Sequence, residues 1–139
     1  MPKSREIHLV SRPTGMPADS NFALVEREVG DPVDGEVLVQ NLLMSVDPAM
    51  RPRLTAGQAL NEPMMGFALG RVVASKHPDF AVGNLVNSRQ GFREYFTSDG
   101  KGLTRLTPDP ELPLSVHMHA LGMTGFTAYG GLLHIGQLK

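Results

Sequence analysis

Glu36-Val37-Leu38-Val39-Gln40-Asn41-Leu42-Leu43-Met44-Ser45-Val46 is the longest β-favouring run in the chain, and Asp47-Pro48 closes it. Valine and leucine dominate the run and its single charge stands at the first position. It is too poor in charge for an exposed helix and reads as a strand at the centre of a sheet. Upstream, Gly30-Asp31-Pro32 and Asp34-Gly35 are turn sequences, and the short apolar runs 7–10 and 22–25 read as earlier strands separated by turn formers from Pro13 to Asn21. Downstream, Asp47 can cap a helix start and Pro48 suits a first helical turn. One short turn through Met50 and Arg51 should follow, limited by Pro52, with a loop over 55–63. Residues 67–75, 85–88, 91–97 and 103–106 read as further strands, joined by turns at 77–83 and 98–102. Short strands at turn-punctuated spacing predict a mainly β fold, a barrel or a sandwich.

Composition agrees with that reading. Eleven prolines and fifteen glycines in 139 residues break helices or demand turns. The length supplies one core. The net charge of -1, with scattered basic residues, offers neither a nucleic-acid footprint nor a polybasic membrane anchor. No cysteine is present, which removes disulfides, thiolate nucleophiles and cysteine-based zinc sites by inventory. Residues 1–12 lack the sustained apolar segment of a secretory leader and no stretch reaches membrane-spanning length, so a cytoplasmic protein is expected.

From Ser115 onward the apolar spacing becomes helical. Leu121, Met123, Phe126, Tyr129, Leu132, Leu133 and Ile135 form a broad stripe, with a break near Gly122 and a stop at Gly136. A stripe this apolar needs something to pack on. The sequence is therefore expected to be cut rather than finished, and an isolated fragment is expected to self-associate through 115–136.

Few residues suggest chemistry on their own. Gly100-Lys101-Gly102 lacks the third glycine of a dinucleotide fingerprint, has Arg105 in its place and is followed by no helix pattern, so it reads as a hairpin turn. His117 and His119 are two apart and point to different faces of a helix, which argues against a metal site. His8, His77 and His134 are isolated and read as surface or interface histidines. Asp47 and Arg51, four apart, read first as a local ion pair or cap bond and second as a substrate-binding arginine. No serine stands in a recognisable nucleophile pattern.

Three segments carry a resemblance. Ser45-Val46-Asp47-Pro48-Ala49-Met50-Arg51, then Met64-Met65-Gly66 with Gly70-Arg71-Val72-Val73-Ala74-Ser75, then Leu121-Gly122-Met123-Thr124-Gly125-Phe126-Thr127-Ala128-Tyr129 fall in one order and spacing. Together they resemble the leukotriene hydroxydehydrogenase, prostaglandin reductase and curcumin reductase group of zinc-independent medium-chain reductases. The resemblance implies a GroES-like, partly open barrel with short helices and a C-terminal helix, with a substrate-side domain over 1–120 and the start of a helical connection to a Rossmann domain over 121–139. It implies metal-free hydride transfer from NADPH to an α,β-unsaturated ketone or aldehyde, in an enzyme that is a homodimer at full length. Met65-Gly66-Phe67-Ala68 stands where zinc-dependent relatives carry a His-Glu pair.

By the same resemblance Met123 and Thr127 approach the nicotinamide, with Thr127 bonding its carboxamide, and Ala49, Met50 and Phe92 lie on the substrate side. Read without it, Met123 is core, Thr127 satisfies a helical carbonyl, and the other three are ordinary packing. The group's tyrosine is Ala49 here and its glycine after the arginine is Pro52, so an aromatic wall is missing and the pocket is wider. No glycine-rich strand-turn-helix occurs in the sequence, so the chain alone is expected to bind NADPH weakly or not at all and to be inactive. A quinone reductase using the same chemistry and a non-enzymatic GroES-like assembly domain remain as other readings.

Overall fold

The computed structural model describes residues 1–138, and the chain divides into two units, Met1–Leu106 and Thr107–Lys139. The first holds all the strands: β1 (Lys3–Leu9), β2 (Phe22–Glu28), β3 (Val37–Met44), β4 (Glu62–Pro63), β5 (Ala68–Ser75), β6 (Leu85–Ser88), β7 (Tyr95–Ser98) and β8 (Thr104–Leu106). They form a three-stranded sheet in the order β2-β1-β4 and a five-stranded sheet in the order β7-β3-β5-β6-β8. All named pairings are antiparallel, and neither sheet closes on itself. The mainly β, partly open architecture is the one expected.

The run 36–46 is an interior strand, but β5 takes the middle of the larger sheet, because β6 and β8 extend it on the far side. Register shifts between Leu38/Val39 and Asn41/Leu43 interrupt the β3–β5 ladder, and each kinks the strand and re-aims its side chains. The strand read over 91–97 begins only at Tyr95, because residues 89–94 form a strap between the two sheets.

Strand alternation builds two cores. Val37, Val39, Val72, Val86 and Phe96 form one, inside the five-stranded sheet. Leu9, Leu54 and Met64 form the other, with Ile7, Phe22, Met50 and Phe92 packed against it. Leu54 comes from helix α1 (Met50–Thr55), which continues past Pro52 instead of ending there. Pro52 is the third residue of α1, where an amide hydrogen would have no intrahelical acceptor, so the ring removes nothing. Arg12 closes the other end, donating to the Leu54 carbonyl at 3.2 Å and the Gln58 carbonyl at 3.0 Å.

His8 is not a surface histidine. It and Glu6 share the inner face of β1 at i, i+2, both buried, with Nε2 and Oε2 2.8 Å apart. Nδ1 lies 3.0 Å from the Asn61 carbonyl oxygen and must donate to it, so a single proton lies between Nε2 and the Glu6 carboxyl.

In the second unit a 3-10 turn over Leu114–Met118 precedes helix α2 (Met123–Tyr129), which passes into a π-helical stretch over Gly130–Ile135. The break foreseen at Gly122 falls there as the residue before α2. Gly125 is required, since a Cβ on it would stand 1.8 Å from the Ala120 carbonyl oxygen. The stripe is exposed within this unit, with Phe126 73% and Ile135 83% accessible. Among the described residues no helix is long and apolar enough to cross a membrane.

Candidate functional site

The site is built on the strap 89–94, which crosses between the two sheets of the first unit. The Asn41 side-chain amide donates to the carbonyls of Gln90 at 2.7 Å and Arg93 at 2.8 Å, and its backbone amide donates to Glu94 at 2.8 Å. From the other side, Ile7 donates to the Phe92 carbonyl at 2.9 Å, and Ser4 Oγ accepts from the amides of Glu94 and Tyr95. Gly91 donates to the Gly66 carbonyl at 3.0 Å. This surplus of bonds holds Phe92 at φ 57, a left-handed conformation that a bulky side chain adopts only under constraint.

So held, the half-buried Phe92 ring lies on Gly66 and on the Leu9, Leu54 and Met64 core. Met50 packs on that same core from the first turn of α1, so the fold brings Met50 and Phe92 to one cluster. Its sulfur accepts from the Asp47 amide at 3.4 Å. Ala49 precedes α1 and is exposed; it contributes a methyl group at the surface and no cap bond. Beside them Met65 and Phe67 are accessible, and the Arg89 guanidinium stands 5.4 Å from the centre of the Phe67 ring. The resulting surface is apolar with one cation at its margin.

The ion pair read between Asp47 and Arg51 does not form. Ser45 donates its hydroxyl to Asp47 Oδ2, while Arg51 donates to Thr55 Oγ1 at 3.2 Å and to the Gly15 carbonyl. The Ser45 hydroxyl bonds one carboxylate oxygen of Asp47, the Arg51 guanidinium is turned to Thr55 and Gly15, and the helix starts too late for Asp47 to cap it. The part that Asn41, Gly66 and Gly91 play in holding the strap was not read from the sequence; an amide inside the apolar run 36–46 is the signal for the first.

In the second unit Met123 and Thr127 stand one turn apart on α2, and both are exposed. Thr127 donates its hydroxyl hydrogen to the Met123 carbonyl at 2.7 Å. The oxygen lone pairs remain available as acceptors. Met123, 68% accessible, is not core in this unit.

Arg93 and Glu94 are the groups of the strap whose titration is shifted. Burial pulls the Arg93 pKa below the usual arginine value, against the pull of Glu6 and Glu62 in the other direction. Arg5 and Glu94 pair across the strap's end, and the Arg5 hydrogen bonds hold the Glu94 carboxyl below its ordinary range.

The class this fold and site define is a GroES-like, mainly β domain of the medium-chain reductase type. Residues 5–106 match the family described as the N-terminal domain of oxidoreductase, and the chain belongs to that family. It is 41% identical over 143 residues to the NADPH-dependent curcumin reductase of Escherichia coli, covering 99% of this chain and 41% of that protein. It is 45% identical over 130 residues to prostaglandin reductase 1 of Rattus norvegicus, covering 90% of this chain and 38% of that one. Among solved structures, CurA of Vibrio vulnificus in complex with NADPH superposes with a TM-score of 0.85 at 39% identity, over 97% of this chain and 42% of CurA. The chain thus spans about two fifths of the length of the relatives it matches.

Proposed function

We propose that this chain is the substrate-side portion of an NADPH-dependent reductase that saturates the double bond of an α,β-unsaturated ketone or aldehyde without a metal ion. The observation that carries the reading is the likeness of nearly the whole chain to an NADPH-dependent curcumin reductase. The local geometry supports it. Met50 and Phe92 offer an apolar wall fixed by the strap, and the rigid backbone beneath Phe92 suits the holding of a flat conjugated substrate.

Thr127 fits the nicotinamide end of the cofactor. Its hydroxyl oxygen, with the hydrogen already committed to Met123, is an acceptor for a carboxamide N–H, and the exposed Met123 side chain is an apolar neighbour for the ring. When bound, NADPH supplies the hydride that reaches the β-carbon of the enone. The protein's part is to bind and orient the substrate and to exclude water from it. Among the described residues no strand, glycine turn and helix of the dinucleotide-binding kind follow one another. The chain alone is therefore expected to bind NADPH weakly or not at all.

The test is to express the complete coded product and follow NADPH oxidation at pH 7 with a panel of enones, enals and quinones, with and without chelator. Enone or enal turnover that survives the chelator is the expected result. Turnover of quinones alone would replace the substrate class, and inertness to every acceptor would overturn the reading.

A further inference from the structure

We propose that the inner face of the β1–β2 sheet carries a second binding site, for a small carboxylate, built on Arg93 and Arg27. An open groove of about 290 Å³ lies there, lined by Glu6, Arg27, Glu28, Arg93, Tyr95 and Thr97 with the backbone after β2, at the lower limit of small-molecule sites. The register explains why these residues meet. Arg93 stands opposite Glu6 across an isolated bridge, and Arg27 stands opposite Ser4, so all four side chains belong to one face. Lys3, Glu26, Arg5 and Glu94 neutralise one another in two pairs outside this face.

Arg27 and Arg93 are the cations of the groove, and the Glu28 carboxylate borders it beside Glu6. The Glu6 carboxyl is engaged by His8 at 2.8 Å. Among the described residues neither Arg27 nor Arg93 has an ion-pair partner, and neither guanidinium makes a hydrogen bond. Arg93 Nε is sealed from solvent and lacks a partner, which leaves the Nη edge as the one a ligand can reach. An arginine does not shed its proton, so a half-buried guanidinium short of hydrogen bonds gains most from a planar anion that accepts two parallel N–H bonds. A carboxylate has that shape. Arg27, exposed on β2, supplies the second cation, and Thr97 adds a hydroxyl-bearing side chain to the lining. The site involves none of Ala49, Met50, Phe92, Met123 or Thr127 and stands independently of the reductase reading.

The experiment is an NMR titration of the 15N-labelled chain with acetate, against chloride at constant ionic strength. Saturable shifts confined to the amides of Gly30, Tyr95 and Thr97 are expected with acetate and not with chloride. Arg93→Gln should weaken acetate binding by about tenfold or more and Arg27→Gln by severalfold, whereas Arg105→Gln on β8 should change nothing. Absence of saturation, equal shifts with chloride, or unchanged affinity in Arg27→Gln would overturn the site. Should Arg93→Gln disturb the whole spectrum, Arg27→Gln, at an exposed position, decides.

Discussion

The edge of the Phe92 ring rests on the Cα of Gly66: a Cβ at that glycine would stand 3.1 Å from Phe92 Cε2 and 3.3 Å from Cδ2. The contact links the strap to the segment before β5 and sets how far Phe92 can tilt. Gly66→Ala should therefore shift the ring by a few tenths of an ångström and cost about 1 kcal/mol. Gly91→Ala should cost more, about 2–3 kcal/mol, because its Cβ would meet the Gly66 backbone, from 3.0 Å, where nothing can rotate away. Urea denaturation of the two variants checks the order.

Asn41 holds the strap from β3, and Asn41→Ala frees the Gln90 and Arg93 carbonyls together. A loss of about 2 kcal/mol is expected. Hydrogen exchange should quicken first at the Gly91 amide, while the β5–β6 amides stay protected.

For the buried Glu6–His8 pair the two single substitutions should differ. His8→Phe leaves a buried carboxyl without its partner and should cost about 3–5 kcal/mol. Glu6→Gln keeps a donor for His8 Nε2 while Nδ1 still bonds Asn61, and should cost far less. Equal losses in thermal melts would mean that packing, not the shared proton, holds the pair.

The Glu94 carboxyl is held below its ordinary value of 4.5 by the side-chain hydrogen bond from Arg5 and then by the Arg5 backbone amide. A group depressed on folding contributes stability that is present above its unfolded value and lost as pH falls through the lower folded one. Asp99 adds in the same direction through Lys101. The wild-type chain should lose stability below about pH 4.5, and Arg5→Gln should flatten that part of the profile. Added salt should flatten it too, since both groups are solvated.

If Thr127 accepts from the nicotinamide carboxamide, Thr127→Val in the complete product should raise the KM for NADPH by about fivefold to tenfold, the worth of one hydrogen bond, and leave the melting temperature nearly unchanged. Thr127→Ser should restore it. An unchanged KM in Thr127→Val would leave the hydroxyl only its bond to the Met123 carbonyl.

By itself the sequence determined the strand pattern, because alternation, turn chemistry and apolar runs are local: β3, β5, β6 and β8 fall where the patterning puts them, and the segments around 45–51, 64–75 and 121–129 pointed to the family. Proline position was misread at Pro52, since its effect depends on where the helix starts, and α1 starts at Met50, which puts Pro52 in its first turn. What only the tertiary structure decided is who bonds whom across long separations. Asn41 meets Gln90 across 49 residues and His8 meets Asn61 across 53. Those partners are chosen by register and bulges in two sheets, and no local pattern encodes them. The left-handed Phe92 follows from the same cause: its conformation is imposed by hydrogen bonds from elsewhere in the fold against what the residue would adopt alone.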